Sequence, residues 1–301
     1  MKPLLSVIIC SHNPRRDYLD KVLKALKSQT LPFDQWELLL VDNASSELLS
    51  SEIDFSWHSN SRHIREEQLG LTPARLRGIK EAEAETLLFV DDDNVLELDY
   101  LEVVIHISKT WPILGVWGGQ VIPDFEETPP EWTKPYWGYL AIKEFDQDMW
   151  SNLLEAIPYG AGMCVRKVVA EKYAELIRNN PERLKLDRRG KLLFSAGDSD
   201  LALTSRELRL GTGLFVRLRL THLIPAYRLQ EEYLARLIEA NSYSCTMLDS
   251  FQGKASASLD LSWIRKLLEL YRLWRMKPRP RRFYKAWRKG QAMANKQIIQ
   301  T

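Results

Sequence analysis

Three adjacent carboxylates, Asp91, Asp92 and Asp93, end the apolar run Leu87-Leu88-Phe89-Val90. Acids packed so closely repel one another unless a cation neutralises them. Hard divalent cations such as Mn²⁺ and Mg²⁺ take oxygen ligands, and Mg²⁺ commonly binds one or two carboxylates together with substrate phosphates. The turn therefore suits a metal-bound diphosphate, and it suits equally a solvated acidic turn that caps the next helix. About a hundred residues on, Asp198 and Asp200 flank Ser199 ahead of an apolar helical run. A carboxylate there can take a proton from an attacking hydroxyl, or it can simply cap the helix. His222 follows another strand-like run and offers an imidazole that Mn²⁺-like ions accept, although a lone histidine also serves structure alone.

Elements of alternating type must position these groups. Strands are predicted at Leu4–Cys10, Trp36–Val41 and Thr86–Val90, and helices at Tyr18–Gln29, Pro73–Ala84 and Tyr100–Lys109. Pro73 suits the first turn of its helix. That alternation predicts an α/β fold with a Rossmann-like, mainly parallel sheet covered by helices on both faces. Ligands of such sheets sit beyond the carboxyl ends of the strands, which singles out Ser11, His12 and Asn13, then Asp42 to Ser45, then Asp91 to Asn94. Trp111 to Gly162 is less periodic and rich in Gly, Pro and aromatics, and reads as a β-containing acceptor region. Helices at Val168–Arg178 and Leu201–Leu208 and a strand at Leu214–Leu220 follow.

Composition narrows the classes of function. Among 301 residues, the three cysteines Cys10, Cys164 and Cys245 are far apart, which predicts neither a disulfide framework nor a thiolate metal site. No signal peptide and no membrane-spanning run are read, so the expected location is the cytoplasm. The net charge of +2 conceals a division: from Leu261 onward stand 12 Lys/Arg and a single acid, Glu269, whereas the first 260 residues carry 30 basic and 39 acidic side chains. An acidic body argues against a nucleic-acid partner, and no basic-aromatic stacking motif stands in it. No Gly-x-Gly-x-x-Gly follows the first strand, where Ser11-His12-Asn13-Pro14 stands instead, which disfavours a NAD-binding enzyme.

Taken in order, the motifs resemble those of family-2 glycosyltransferases of the GT-A fold. Ser6 to Asn13 is similar to the family's opening strand and turn, which makes Ser11 and Asn13 candidate donor-binding residues. Val41-Asp42-Asn43-Ala44-Ser45 is similar to its second-strand motif, whose Asp bonds the nucleotide base, uracil in a UDP-sugar. Gly70, Ala74, Arg75 and Gly78 match an Asn-x-Gly…Ala-Arg-Asn-x-Gly segment in which Gln68 and Leu76 replace asparagines. The resemblance implies that Asp91 to Asp93 is an Asp-x-Asp motif, with Asp91 and Asp92 on the donor and Asp93 on a divalent metal, Mn²⁺ or Mg²⁺. Pro158 to Met163 resembles the acceptor-side strand ahead of Arg166. Gly197 to Leu201 is similar to a Gly-Glu-Asp-x-Asp-Leu motif with Gly197 in place of Glu, which makes Asp198 the general base and Asp200 the alternative. His222 stands where many members carry a metal- or diphosphate-contacting histidine. Arg75 becomes a contact to the base or ribose, or else an ion pair on a helix surface.

The implied activity is inverting transfer from a nucleotide-sugar, a UDP-sugar in first place, to an acceptor hydroxyl of a glycan or lipid-linked acceptor, in polysaccharide or glycoconjugate synthesis. A catalytically silent nucleotide-sugar-binding or scaffold protein of the same fold is the alternative. The expected division is a domain over residues 1–240, with a donor half at 1–110 and an acceptor half at 111–240, and a basic helical C-terminal extension over 241–301. Trp132, Tyr136, Trp137, Tyr139, Phe145 and Trp150 form either an acceptor platform or a core closing over a loop. In the extension, Ile264, Leu267, Leu268, Tyr271 and Trp274 share a helical face amid basic residues. They suit either a peripheral contact with an anionic membrane at its inner face, or packing on the domain.

Overall fold

A computed structural model of the chain describes residues 2–151, 156–254 and 263–300, with the side chains of 263–266 outside the description. The chain starts with β1 (Leu5–Ser11), α1 (Arg16–Lys27), β2 (Trp36–Asn43), a short α2 (Leu49–Glu52), β3 (Ser61–Glu66) and α3 (Leu71–Glu81). It continues with β4 (Thr86–Val90), β5 (Asn94–Leu96), α4 (Tyr100–Thr110), β6 (Leu114–Phe125), β7 (Met149–Ser151), β8 (Met163–Arg166) and α5 (Lys167–Asn179). Then come α6 (Gly197–Thr204), β9 (Gly211–Ile224), α7 (Glu231–Phe251), α8 (Trp263–Arg275) and α9 (Pro278–Gln300).

The described strands form one sheet in the order β3-β2-β1-β4-β8-β6-β9-β5, with β7 pairing β9. β1, β2, β3 and β4 are mutually parallel, as expected of a sheet built by helical crossovers. Beyond β4 the sheet is mixed: β8 runs antiparallel to β4 and β6, β6 and β9 are parallel, and β5 and β7 run antiparallel to β9. The parallel expectation thus describes β1 to β4, and the strands that follow them add antiparallel pairings.

Alternation along β1 explains the two layers. Val7 and Ile9 face α1 and α4 in a core with Leu19, Val22, Leu26, Leu101 and Val104. Ile8 points the other way, into a core with Ala74, Ile79, Val169, Tyr173 and Leu201 from α3, α5 and α6. Each such fully buried aliphatic side chain contributes about 1.5–3 kcal/mol. Gly78 lets α3 lie close on the sheet, since a Cβ there would sit 2.5 Å from Ile8 Cγ2.

Predicted boundaries shift by a few residues at most elements, while β3, β5, β6 and β7 have no forecast of their own. In β3 only Ile64 is buried, so this edge strand lacks an apolar signature. In β6 the run is broken by Gly118, Gly119 and Pro123. The predicted helix at Leu201–Leu208 begins four residues earlier and tightens to a 3₁₀ turn at Ser205–Leu208. The expected boundary after residue 240 falls inside α7, one continuous helix.

The predicted aromatic platform divides. Trp132, Tyr136, Trp137 and Tyr139 pack with Leu140, Leu234, Ile238 and Phe283, so they largely close a core formed with α7 and α9. Trp150 instead lies against Trp111, its ring centroid 4.6 Å away. Among the described residues no helix is long and apolar enough to cross a membrane.

Candidate active site

A cleft of about 330 Å³ opens beyond the carboxyl ends of β1, β2 and β4. Ser11, Arg75, Asp91, Asp92, Asp93, Asp198 and His222 all line it. Residues as far apart in sequence as Ser11 and His222 therefore meet in one place. Its size lies within the range of small-ligand sites.

The acidic turn is built by strand ends. β4 stops at Val90, Asn94 N–H bonds Asp91 O at 3.1 Å, and β5 then pairs antiparallel with β9 so that Asn94 opposes His222. That register sets Asp93 Oδ2 at 3.4 Å from His222 Nε2, with Arg228 Nη2 3.1 Å away and Asn94 Nδ2 donating to Oδ1 at 3.0 Å. Burial opposes ionisation of Asp93, yet His222 and Arg228 outweigh it and hold its carboxyl below the ordinary range. Its neighbours behave in the opposite way. Burial, followed by repulsion from Asp93, raises Asp91 and pushes Asp92 up to about 7, although the Ser11 hydroxyl donates to Asp92.

Those raised carboxyls are half-buried oxygen donors short of positive charge, and the buried His222 Nδ1 has no hydrogen-bond partner among the described residues. The donor set fits a hard divalent cation on chemical grounds. Among the described residues no three His, Cys, Asp or Glu side chains converge as a complete metal cage. The protein ligands would be Asp93 and His222, with diphosphate oxygens completing the shell, the usual manner of Mg²⁺. Arg228, which contacts both residues, would have to yield the Asp93 oxygen.

On the other side of the cleft, Asp198 lies in the first turn of α6. Its Oδ2 accepts the Gly160 N–H at 2.9 Å and its Oδ1 the Ser199 N–H at 2.7 Å. Gly160 is required by close approach: a Cβ there would stand 2.6 Å from Arg75 Nη2 and 3.3 Å from Asp198 Cβ. Asp200, the alternative base, points away from the cleft. It is buried against Arg183, and burial, only partly offset by that guanidinium, pushes its carboxyl up to about 6.

Arg75 is neither an exposed helix-surface ion pair nor free. Its buried guanidinium bonds Asp187 Oδ2 at 3.1 Å, and Asp187, Asp91 and Asp198 together favour its charged form against the cost of burial. Asp187 had no signal in the sequence, because it stands in an irregular stretch outside every motif. Its position explains the departure at Gly197: a Cβ there would lie 2.3 Å from Asp187 Oδ2. The Asp187 carboxylate fills the space where the motif's missing Glu side chain would begin. Arg188 and Tyr233 also line the cleft and were likewise unmarked by spacing, and they are joined there by Tyr139 from the predicted aromatic cluster and Tyr159 from the Pro158–Met163 segment.

Two predicted donor-binding residues do not line it. Asp42 is buried, accepting N–H groups of Ser45 and Leu49 at 3.0 and 3.2 Å and Arg65 Nη1 at 2.8 Å. Burial raises its carboxyl, but these bonds together bring it below the ordinary value. Asn13, at φ 48°, uses its Oδ1 to accept Ser46 N–H at 2.8 Å and its own N–H to bond Ser45 Oγ at 3.0 Å. Both residues shape the rim turns. Asn43, one position on, does reach the cleft and ties it together: its Nδ2 donates to Gln68 O and its Oδ1 accepts Gly70 N–H, both at 2.8 Å.

Curated proteins similar to this chain are glycosyltransferases. The chain is 25% identical over 130 residues to the glucosyl-dolichyl phosphate glucuronosyltransferase of Haloferax volcanii, covering 42% of this chain and 41% of that one. It is 32% identical over 103 residues to glycosyltransferase AglE of the same organism, covering 33% and 34%. Against the cholesterol galactosyltransferase of Borreliella burgdorferi it is 31% identical over 107 residues, covering 35% of this chain and 29% of that one. These matches span less than half the length of each relative. Among solved structures, S. aureus TarS superposes with a TM-score of 0.53 at 16% identity, covering 97% of this chain and 55% of that one. Residues 1–349 of TarS in complex with UDP give 0.50 at 18%, covering 95% and 81%. The fold is of the GT-A type. A sequence model of glycosyl transferase family 2 matches residues 6–174, more than half of the chain, and the chain belongs to that family.

Proposed function

We propose that this protein is an inverting glycosyltransferase that moves a sugar from a nucleoside diphosphate donor, a UDP-sugar in first place, to an acceptor hydroxyl of a glycan or lipid-linked acceptor. The observation that carries the reading is the shared cleft, in which the Asp91–Asp93 turn and the Asp198 carboxylate stand together beyond the sheet. The UDP complex of TarS belongs to a protein of the same fold, and UDP is accordingly the first nucleotide to test.

In this mechanism the acceptor hydroxyl gives its proton to Asp198 as its oxygen bonds to the anomeric carbon. The bond from that carbon to the diphosphate oxygen breaks, and the electron pair leaves with the nucleoside diphosphate. The Gly160 and Ser199 N–H groups hold the Asp198 carboxylate in one orientation, which spares the transition state an ordering cost. Arg75, fixed by Asp187, supplies positive charge between Asp91 and Asp198. A divalent cation at Asp93 and His222 would offset the charge that develops on the leaving diphosphate. Tyr139, Tyr159 and Tyr233 line the same cleft and would pack against a sugar there.

The test is calorimetric titration of UDP with and without Mn²⁺, run beside release of UDP from UDP-sugars. Binding strengthened by Mn²⁺ in the parent protein, and no longer strengthened in Asp93→Ala, is the expected result. Affinity for no nucleoside diphosphate would overturn the reading. Tight binding without turnover on any donor and acceptor would point to the silent binding protein instead.

A further inference from the structure

The basic tail divides into two helices with opposite surroundings. α9 lies along α7 and buries Phe283, Ala286 and Ala294. At their crossing, a Cβ on Gly290 would come 2.1 Å from Glu239 O, so the two backbones are in close contact. Four of its cations are already matched, Arg279 and Arg282 to Glu231, Lys289 to Glu239 and Arg288 to Glu269.

α8 is arranged the other way round. Leu267, Leu270, Tyr271 and Trp274, at the i, i+3, i+4, i+7 spacing of one helical face, are 55%, 62%, 56% and 75% exposed, and Leu268 beside them is 61% exposed. The edge turned to protein carries Glu269 and Leu273, both half-buried: Glu269 bonds Arg288 at 2.9 Å, and the exposed Arg272 beside them lies 5.0 Å over the Tyr284 ring. A helix on a water-facing domain normally buries its apolar stripe and wets its polar one. Five large apolar side chains side by side in water instead mark a contact surface. Ile264, expected on the same face, has its side chain outside the described residues.

The rim of the stripe is cationic. Arg275 stacks over Tyr271 at 5.7 Å, Lys277 follows in the turn to α9, and neither has a carboxylate partner among the described residues. The only acid of this stretch, Glu269, is taken by Arg288. Two-fold pairing with a second copy through the stripe would bring no free carboxylate of α8 to Arg275 and Lys277, because Glu269 is already held by Arg288. A flat apolar stripe edged by unpaired cations matches the boundary between acyl chains and anionic headgroups.

We propose that α8 is an interfacial helix that seats the protein on an anionic lipid bilayer, with Leu267, Leu270, Tyr271 and Trp274 among the acyl chains and Arg275 and Lys277 at the phosphates. α9 carries no lipid contact in this arrangement and joins α8 to the domain.

Co-sedimentation of the full chain with vesicles tests this. Vesicles of phosphatidylcholine alone are compared with vesicles of equal parts phosphatidylcholine and phosphatidylglycerol. The parent should partition onto the second and not the first. Binding should fall as salt rises from roughly 0.1 M to 1 M, where the Debye length contracts from about 10 Å to about 3 Å. Arg275→Gln/Lys277→Gln should weaken partitioning about 30-fold, at roughly fivefold for each cation removed. Leu267→Ser/Tyr271→Ser/Trp274→Ser should abolish it with the melting temperature unchanged, since the side chains removed are exposed. UDP affinity, measured on the same samples, should be equal in all three proteins, so that failure to bind vesicles is distinguishable from failure of the transferase reading. A parent that stays in the supernatant overturns the proposal. So does a charge variant that partitions like the parent, or a serine variant whose one effect is to dissociate a dimer.

Discussion

At the scale of single residues, Asp198 and Asp200 show what a carboxylate's surroundings decide. Two residues along a helix is a rotation of about 200°, so only one of the pair can face a given cleft. Here it is Asp198. We expect Asp198→Asn to lower turnover by at least about 100-fold while leaving donor Kd nearly unchanged, as for a group acting in the transition state. Steady-state rates with calorimetric Kd values check this, and a variant with parental turnover would remove Asp198 as base. Asp200 answers to pH instead. Its folded carboxyl, raised by burial to about 6, holds a proton that the unfolded chain releases near 4. The stability this contributes is fully present below about pH 4 and is lost as pH rises through about 6. The melting temperature of the parent, taken relative to Asp200→Asn, should therefore decline over that window. A constant difference across it would refute the assignment. The spacing of the two acids was legible in the sequence, but their directions were not, because a motif records order and a helix turns it into opposite faces. Asp187 and Arg228 were illegible for another reason: each comes from an irregular stretch or 3₁₀ turn that only the folded chain brings to the cleft.

Between elements, the site depends on places where no side chain fits. Gly160 and Gly197 admit Arg75 and Asp187, and through them fix Asp198 relative to the acidic turn. Gly197→Ala should push Asp187 away from Arg75 and leave a buried guanidinium poorly matched. Overpacking of this kind costs about 1–3 kcal/mol. We expect a lower melting temperature together with about a tenfold loss of turnover, whereas Gly190→Ala, whose Cβ would meet Leu69 Cδ2 at an ordinary 3.6 Å, should leave turnover within about twofold. Its positive φ of 55° still predicts a modest stability cost. Equal rates for the parent and Gly197→Ala would show that Asp187 does not position the site. The strands and helices around the cleft were readable wherever both sheet faces are buried, as in β1, β2 and β4. β3 and β6 were not, since one is a polar edge and the other is interrupted by glycines and a proline.

Across the whole molecule, charge and hydrophobicity locate the basic tail without dividing its labour. Composition marks 261–301 as one basic segment, and periodicity marks one helical face over Ile264 to Trp274, but neither says which apolar residues of the tail find protein. The fold answers through α7: α9 places Phe283 against Trp132 and Tyr136, with ring centroids 6.1 and 4.4 Å away, while the stripe of α8 stays exposed. Buried and exposed apolar residues of one tail should then respond differently to truncation. Phe283→Ala removes a ring from a closed core and should cost about 3–5 kcal/mol, visible as a clear fall in melting temperature. Its core also contains Leu140, which lines the cleft, so donor affinity should weaken in parallel as Tyr139 and Leu140 lose their support. Trp274→Ser removes an equally large side chain from water and should change neither quantity. A Phe283→Ala protein that melts with the parent would show that α9 is not part of the folded core. A Trp274→Ser protein that melts lower would show that α8 packs on the domain after all, and that its apolar face is not free for a membrane.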